Sequence, residues 1–311
     1  MRLLEQVIDI LWKRLENCDL CPRKCHVNRL KGKIGFCKAT KDLIVFTAFI
    51  HKGEEPPISG RRGSGTIFFS GCTLKCLYCQ NYKFSHTLKG KKIVPKTLAK
   101  IMQNLKDNGA HNINLVTPTH FLPHITEALL YALKEGLNIP IVYNTSGYEE
   151  TSVLEKLNGI VDIYLTDMKY YESITAQKYS SSLDYPFVNK KAIIQMYQQK
   201  RNDQSSHLIM ERGLIIRHLI LPGHIEEAKK IISWIKRNTP SAFLSIMAQY
   251  QPYFKASKYQ PLDRKITTAE YRAIKNYIEE VNIERGWLQE FNSQHRLAGV
   301  YFKPSLLNQY L

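Results

Sequence analysis

Cys72, Cys76 and Cys79 stand with three and then two residues between them in the stretch TIFFSGCTLKCLYCQN, residues 66–81. Thiolates this close in sequence can wrap one metal centre, and soft sulfur ligands select zinc, copper(I) or an iron–sulfur cluster. A four-iron cubane normally takes four cysteines. Three would leave one iron with an open coordination position, and open positions are where metal centres do chemistry. A closed zinc knuckle needs a fourth ligand, for which His86 is the nearest candidate. The short apolar strand expected at Thr66 to Ser70, broken by Gly71, argues against a small finger.

Cys18, Cys21, Cys25 and Cys37 form a second group, separated by two, three and eleven residues. Pro22 and nearby glycines mark the segment as loop-rich. Four cysteines so spaced can hold a complete iron–sulfur cluster or a closed zinc site, or stand unliganded. Seven cysteines in two groups read as metal ligation in a reducing cytoplasm rather than as disulfides.

The CxxxCxxC string, with Tyr78 before its last cysteine, resembles the cluster motif of the radical S-adenosylmethionine (SAM) enzymes. The longer string HKGEEPPISGRRGSGTIFFSGCTLKCLYCQN, residues 51–81, is similar to one branch of them. That branch is the uncharacterised iron–sulfur proteins related to pyruvate formate-lyase activating enzyme. The resemblance runs from about residue 18 to about residue 275. It implies a [4Fe-4S] cluster on Cys72, Cys76 and Cys79, with SAM chelating the open iron. It implies reductive cleavage of SAM to a 5′-deoxyadenosyl radical that abstracts hydrogen from a substrate. A glycine of a partner protein is one such substrate, and a flavodoxin or ferredoxin would be the one-electron donor. Similar cysteine-rich leaders occur in relatives of this branch, which favours an auxiliary [4Fe-4S] cluster on the second group, with zinc as the alternative.

Such a site needs a scaffold, and the hydrophobic pattern supplies one. Residues 2–16 predict an amphipathic helix with Leu4, Val7, Ile8, Leu11 and Leu15 on one face. Residues 43–50 read as a strand or two short ones, ended by the turn-rich GEEPPISG at 53–60. Strands are expected at about 66–70, 112–116, 140–143, 161–166, 213–220 and 242–247. Helices are expected at about 95–108, 121–135, 149–157, 172–180, 186–199, 224–237 and 267–282, with an exposed connection over 200–211. Alternation of this kind implies parallel strands with right-handed crossovers. Six units do not close an eight-stranded barrel; the resemblance implies an α/β fold with a partial (βα)6 TIM-like barrel, a radical SAM core with a cysteine-rich N-terminal extension. The expected divisions are a leader over 1–60, a core over 61–283 and a C-terminal extension over 284–311.

Parallel α/β sheets place their ligand site at the carboxyl ends of the strands. Thr117, Thr119 and His120 follow the second strand, where the activating-enzyme relatives carry a glycine-rich GGE segment that this chain lacks. Thr119 is equally a helix cap and His120 a helix-start residue touching backbone. Asn144 and Ser146 follow the third strand, in a string that in the relatives contacts the cofactor and otherwise serves as turn chemistry. Asp167 and Lys169 follow the fourth; the relatives share this D-x-K pattern, whose lysine approaches the cofactor carboxylate, and the alternative is a surface ion pair. Arg217 and His218 alternate in facing on the fifth strand, so only one can point inward. Gln249 and Tyr250 end the sixth as substrate-side or packing residues.

The formal net charge is +17. A basic balance suits nucleic acid or an acidic partner, or only solubility; Lys89, Lys91, Lys92, Lys96 and Lys100 are a candidate docking face. No RNA-binding module is recognisable. No apolar run is long enough to span a bilayer, and Glu5 and Asp9 interrupt any secretory signal. Three function classes follow: an enzyme activating a partner protein, a radical enzyme modifying RNA, and a non-enzymatic iron–sulfur carrier or sensor. Polar groups at the strand ends speak against the last. Reconstituted protein is expected to hold an oxygen-labile core [4Fe-4S] centre that disappears when Cys72, Cys76 and Cys79 are together changed to Ala, while any second centre survives. Iron analysis and absorption spectra of that variant check this, and a core centre that persisted would defeat the assignment.

Overall fold

The computed structural model describes residues 2–201 and 209–291. The exposed connection expected over 200–211 and the C-terminal extension therefore lie largely outside the described residues. One sheet of nine strands organises these residues. β1 (Leu43–His51) pairs antiparallel with β2 (Ser64–Phe69) and with β3 (Lys91–Ile93). β2 then begins a parallel run through β4 (Ile113–Val116), β5 (Ile141–Thr145), β6 (Ile163–Asp167), β7 (Gly213–Leu219), β8 (Phe243–Met247) and β9 (Gly286–Leu288). The six expected parallel strands are β2 and β4–β8. β3 and β9 sit at the two ends of the order, so the sheet does not close. The chain is a partial barrel.

α1 (Arg2–Lys13) precedes the leader. α2 (Pro56–Ser59) and α3 (Tyr82–Ser85) are single turns on either side of β2. The crossovers are α4 (Pro95–Asp107), α5 (Leu122–Lys134), α6 (Thr151–Lys156), α7 (Ser173–Ser180), α8 (Tyr185–Lys200), α9 (Ile225–Asn238) and α10 (Thr268–Glu280). Pro at the first turn starts α4, α5 and α8, where the missing N–H costs nothing. Thr267 caps α10 with a reciprocal capping box to Glu270.

Strand alternation sorts side chains to two faces. Outward residues Tyr143, Tyr164, Leu214, Ile216, Leu244 and Ile246 pack against α8 and α9 through Ile193 and Ile231. Inward residues Val142, Ile163, Leu165, Ile215 and Phe243 pack around Ile58 of α2. The short α2 is thus a plug in the floor of the half-barrel. It is tied there by Asn112, whose amide donates to the Ile58 carbonyl at 2.8 Å, and by Met210 N–H donating to the Pro57 carbonyl at 2.9 Å. Higher up, Phe46, Phe49, Phe68, Phe84 and Val116 form an apolar inner wall.

Ile58 is fully buried among side chains of four strands. Ile58→Ala is expected to lower stability by about 2–5 kcal/mol, the transfer loss plus the cavity left behind. A shift of the urea midpoint at constant slope measures it; a loss under about 0.5 kcal/mol, the level of an ordinary surface change, would show that α2 does not plug the floor.

Candidate active site

Gly71 ends β2 with φ +84°, and an added Cβ would lie 2.8 Å from the Cys37 carbonyl oxygen. Only glycine accepts both that dihedral and that approach. The contact presses the leader directly on the loop that carries Cys72, Cys76 and Cys79. The loop is pinned on its other side by α7: Lys75 and Leu77 N–H donate to the carbonyls of Ser180 and Tyr179 at 3.3 and 2.8 Å. Gly71 N–H donates to the Phe84 carbonyl at 2.9 Å, and Lys255 N–H to that of Leu77 at 3.0 Å.

The three thiols are free and each has a donor or a polar neighbour. Leu74 N–H points at Cys72 Sγ at 3.4 Å, Ser180 Oγ donates to Cys76 Sγ at 3.0 Å, and Ser85 Oγ lies 3.1 Å from Cys79 Sγ. Tyr78, the aromatic residue of the motif, shares a 2.8 Å hydrogen bond with Tyr170 Oη, which meets Ser180 Oγ at 2.5 Å. This hydroxyl chain ends on Cys76. Burial, then the neighbouring Cys76, pushes the Cys72 thiol up to about 11 and Cys79 up to about 12. Without metal, Cys72 and Cys79 stay protonated, and metal binding must displace their protons. Lys75 Nζ, inside the same loop, is buried and has no hydrogen-bond partner. Its charge acts on Cys72, Cys37 and Cys79. Among the described residues no three His, Cys, Asp or Glu side chains close around a single ion. The fit to a thiolate-bound cluster therefore rests on the donor set, the hydrogen bonds aimed at sulfur and the unpartnered cation.

The leader is built in the same way. Cys18, Cys21 and Cys37 are buried and Cys25 is half-buried. Phe36 N–H donates to Cys25 Sγ at 3.3 Å. Arg29 is 1% exposed, gives two hydrogen bonds to the Thr40 carbonyl, and lies 4.0 Å from Cys18 Sγ. No carboxylate pairs with Arg29 among the described residues. A buried guanidinium without a carboxylate suits an anionic thiolate centre. Arg23 staples the leader to the core loop, donating to the Thr73 and Ser181 carbonyls at 2.9 and 2.7 Å, with its guanidinium 3.8 Å over Phe36.

The strand-end residues divide into two sets. Arg217 points inward; its Nε donates to Asp167 Oδ1 at 2.8 Å and its Nη2 to Asn144 Oδ1 at 2.6 Å. Lys169 Nζ takes the other oxygen of Asp167 at 2.5 Å. Burial alone would pull Lys169 down, but Asp167 and then Cys76 hold it above its ordinary value. Lys169 thus lies between Asp167 and the cysteine loop. Burial opposes ionisation of Asp167, and Arg217 and Lys169 outweigh it, keeping the carboxyl below its usual range. His218 faces away from the interior, its Nδ1 2.8 Å from the Met168 carbonyl, and burial lowers its pKa.

The side chains of Thr119 and His120 and the backbone N–H of Thr117 are occupied by protein. Thr117 sits at φ +59°, rare for a β-branched residue, with its N–H on the Asn144 carbonyl at 2.8 Å. His120 meets the Ser70 carbonyl at 2.7 Å and props the strand end before the cysteines; burial drives it down to about 3. Thr119 donates to Glu149 at 2.6 Å. Ser146 offers its carbonyl to Tyr185 Oη at 2.7 Å. Three charged or titratable groups escaped the strand-end reasoning: Glu54 and Glu55 beside the plug, and Glu149. Arg217 lies 3.8 Å from both Glu54 and Glu55, and His51 is 3.3 Å from Glu54. The acidic pair directly before Pro56-Pro57 was the available signal.

The partial barrel thus carries a three-cysteine loop at the carboxyl end of its first parallel strand, with Lys169 at the carboxyl end of β6. Residues 66–235, more than half of the chain, match the model of the Radical SAM superfamily, and the chain belongs to that superfamily. Membership implies a [4Fe-4S] cluster and SAM. The chain is 32% identical over 292 residues to the uncharacterized protein MJ0674 of Methanocaldococcus jannaschii, covering 91% of this chain and 80% of that protein. It is similar to Streptococcus suis SuiB bound to precursor peptide SuiA, at 14% identity and a TM-score of 0.48, over 70% of this chain and 46% of that one. It is likewise similar to SuiB bound to SAM, at 13% identity and a TM-score of 0.48, over 72% of this chain and 50% of that one. The chain spans about half the length of these solved structures.

Glu149 is 1% exposed and receives hydroxyls from Thr119, Thr145 and Tyr143. Burial outweighs those donors and pushes it up to about 7. Between its ordinary value of 4.5 and about 7 the folded protein keeps a proton that the unfolded chain loses, so stability falls as pH rises through that window. Glu149→Gln is expected to remove a fall on the order of 3 kcal/mol, while Glu55, also raised to about 7, keeps its own share. Urea unfolding at pH 4.5 and 7.5 tests this, and an undiminished slope in the variant would place the proton elsewhere.

Proposed function

We propose that this chain is a SAM-cleaving radical enzyme that abstracts a hydrogen atom from a partner polypeptide, as in the resemblance to pyruvate formate-lyase activating enzyme. The observation that carries the reading is that Asp167 holds Lys169 at the carboxyl end of β6, on the side of the sheet where the loop of Cys72, Cys76 and Cys79 follows β2 and where the charge of Cys76 acts on it. Cys72, Cys76 and Cys79 would hold a cluster that would supply the one-electron reduction on which cleavage of SAM depends. The chain's own groups bind, orient and exclude water.

In this reading Lys169 meets the cofactor carboxylate as a point charge, held at the right height by Asp167. Asp167 is in turn held by Arg217 and so does not swing away. In the same reading Asn144, which accepts from Arg217, and Ser146, just past β5, contact the cofactor, and Tyr78 fixes the last turn of the cysteine loop through Tyr170. The Thr119 and His120 side chains are spent on Glu149 and the Ser70 carbonyl, so no GGE equivalent is assigned to them. Cys18, Cys21, Cys25 and Cys37 hold a second iron–sulfur centre, with Arg29 as its buried counter-cation. The leader over 1–60, the core over 61–283 and the extension over 284–311 divide the chain by role. A low-potential flavodoxin or ferredoxin supplies the electron, in a reducing cytoplasm that keeps all seven cysteines out of disulfides. Among the described residues no helix is long and apolar enough to cross a membrane.

Anaerobic reconstitution, followed by reductant and SAM, is expected to yield 5′-deoxyadenosine. Lys169→Ala is expected to weaken SAM binding by roughly 10- to 100-fold, a charge-assisted contact of about 1.5–3 kcal/mol, with iron content unchanged. Lys169→Arg should not fully restore it, because the guanidinium fork differs in shape. The perturbation of the cluster's electron paramagnetic resonance signal by added SAM gives the affinity. Wild-type affinity in Lys169→Ala would return Asp167 and Lys169 to a purely structural ion pair.

A further inference from the structure

The inner surface of the half-barrel carries hydrogen-bonding capacity that its own groups leave unused. Glu55 is 8% exposed; one oxygen lies 3.8 Å from Arg217 and the other, Oε2, has no partner. Asn114 is 0% exposed, and neither its amide nitrogen nor its amide oxygen is bonded. It stands in the middle of the sheet, in register with Thr66 of β2 and Val142 of β5, and Val142 is an inward residue. Thr47, which pairs in register with inward-facing Phe68, is 4% exposed and its hydroxyl too is unpartnered. An orphaned buried polar group costs on the order of 1–3 kcal/mol. Three in one compartment point to a partner that is not part of the chain.

Charge narrows what that partner is. Five charged side chains face this space: Glu54 and Glu55 beside the plug, Asp167 on β6, Lys169 just beyond it and Arg217 on β7. His51 at the end of β1 is engaged by Glu54 at 3.3 Å. Asp167 takes both cations at close range, with Lys169 at 2.5 Å and Arg217 Nε at 2.8 Å. Glu54 accepts from His51 and lies 3.8 Å from Arg217. Glu55 shares a hydrogen bond with Glu54 and lies 3.8 Å from Arg217, so three carboxylates stand against two fixed cations and the Glu55 Oε2 receives no donor from the chain. The wall above it, Phe46, Phe49 and Phe68, is apolar. A ligand that fits both has a positive, donor-rich end and an alkyl stem.

We propose that the floor of the half-barrel, at Glu55 and Asn114, binds a protonated alkylamine carried by the substrate, anchoring it so that its carbon chain extends along the phenylalanine wall toward the cysteine loop. The inference rests on the radical SAM reading for the meaning of that direction. It names a substrate class, a polypeptide side chain or other molecule ending in a primary ammonium. Asn114 accepts one ammonium proton through its Oδ1, and Glu55 takes another through Oε2. Anchoring a remote charged end is also an economical means of presenting a C–H bond, since binding energy far from the reacting carbon fixes its orientation.

The probe is n-butylammonium, compared with n-butanol and butyrate, titrated calorimetrically into the full-length reconstituted protein at pH 8. Burial, opposed by Arg217, pushes Glu55 to about 7, so it is mostly ionised there. Wild type is expected to bind butylammonium at least tenfold more tightly than butanol and butyrate least. Glu55→Gln should abolish the preference for the amine over the alcohol, and Asn114→Ala should weaken the amine severalfold. Equal binding of amine and alcohol by wild type, or tighter binding of butyrate, overturns the proposal without any variant having to fold. An unchanged preference in a folded Glu55→Gln overturns it as well. SAM cleavage by the same wild-type preparation separates the two readings: amine preference without 5′-deoxyadenosine defeats the proposed chemistry alone, and 5′-deoxyadenosine without amine preference defeats the amine site alone.

Discussion

A guanidinium does not lose its proton inside a protein, so a largely buried arginine dictates where its acceptors must be. Arg217 projects from the middle of the inner wall with 15% of its side chain exposed. Its hydrogen bonds reach Asp167 on β6 and Asn144 on β5, and its charge reaches Glu54 and Glu55 beside the floor plug. One side chain thereby holds three neighbouring strands and the plug at a common height. Buried ion pairs contribute little net stability, since desolvation consumes most of the attraction. What they provide here is placement. Asp167, immobilised by Arg217, offers its second oxygen to Lys169 and turns that ammonium toward the cysteine loop.

The loop itself is organised by opposite demands. Thiols in a buried setting resist ionisation, yet metal ligation requires thiolates. The surroundings offset this with cations that have no carboxylate of their own. Lys75 serves both cysteine groups, being close enough to act on Cys37 as well as on Cys72 and Cys79. Arg29 does the same inside the leader, and Arg23 binds the two parts through main-chain carbonyls of the loop and of Ser181. Some of the +17 charge is therefore interior and serves the sulfur sites. That portion gives no reason to expect nucleic acid.

The contact between the Cys37 carbonyl and Gly71 joins the leader to the core. A side chain at residue 71 would force the leader away, and with it Lys75 would lose its position between the two thiol groups. The same compactness explains the crowded top of the barrel. Gly147 at φ +74° lets the loop after β5 lie against Asp167 and Asn189, where an added Cβ would fall 2.1 Å from the Asn189 amide nitrogen. Asn189 uses that amide to bond the carbonyls of Gly147 and Asp167, locking the strand-end loops beneath the opening.

Local pattern was enough for much of this. The cysteine spacings, the alternation of apolar strands with amphipathic helices, and the Asp167–Lys169 pair at a strand end are all written in short stretches of sequence. So their existence and order were legible in the chain itself, and the unclosed barrel was implied by the family resemblance that the cysteine motif carries. What sequence could not decide was facing and company. Arg217 and His218 are adjacent, and only the register of β7 against β6 turns the arginine inward and the histidine toward the Met168 carbonyl. In a linear reading Thr119 and His120 are open between cofactor groups and a helix cap or backbone contact. In three dimensions one is claimed by Glu149 and the other by the Ser70 carbonyl. GEEPPISG reads as a turn-rich link, because Pro and Gly end regular structure locally. That Ile58 plugs a barrel, and that two glutamates rise from it into the interior, follows from burial among strands more than eighty residues away, such as Val142 and Leu165. Chain-distant packing of this kind leaves no periodic trace, which is why only the tertiary structure decided it.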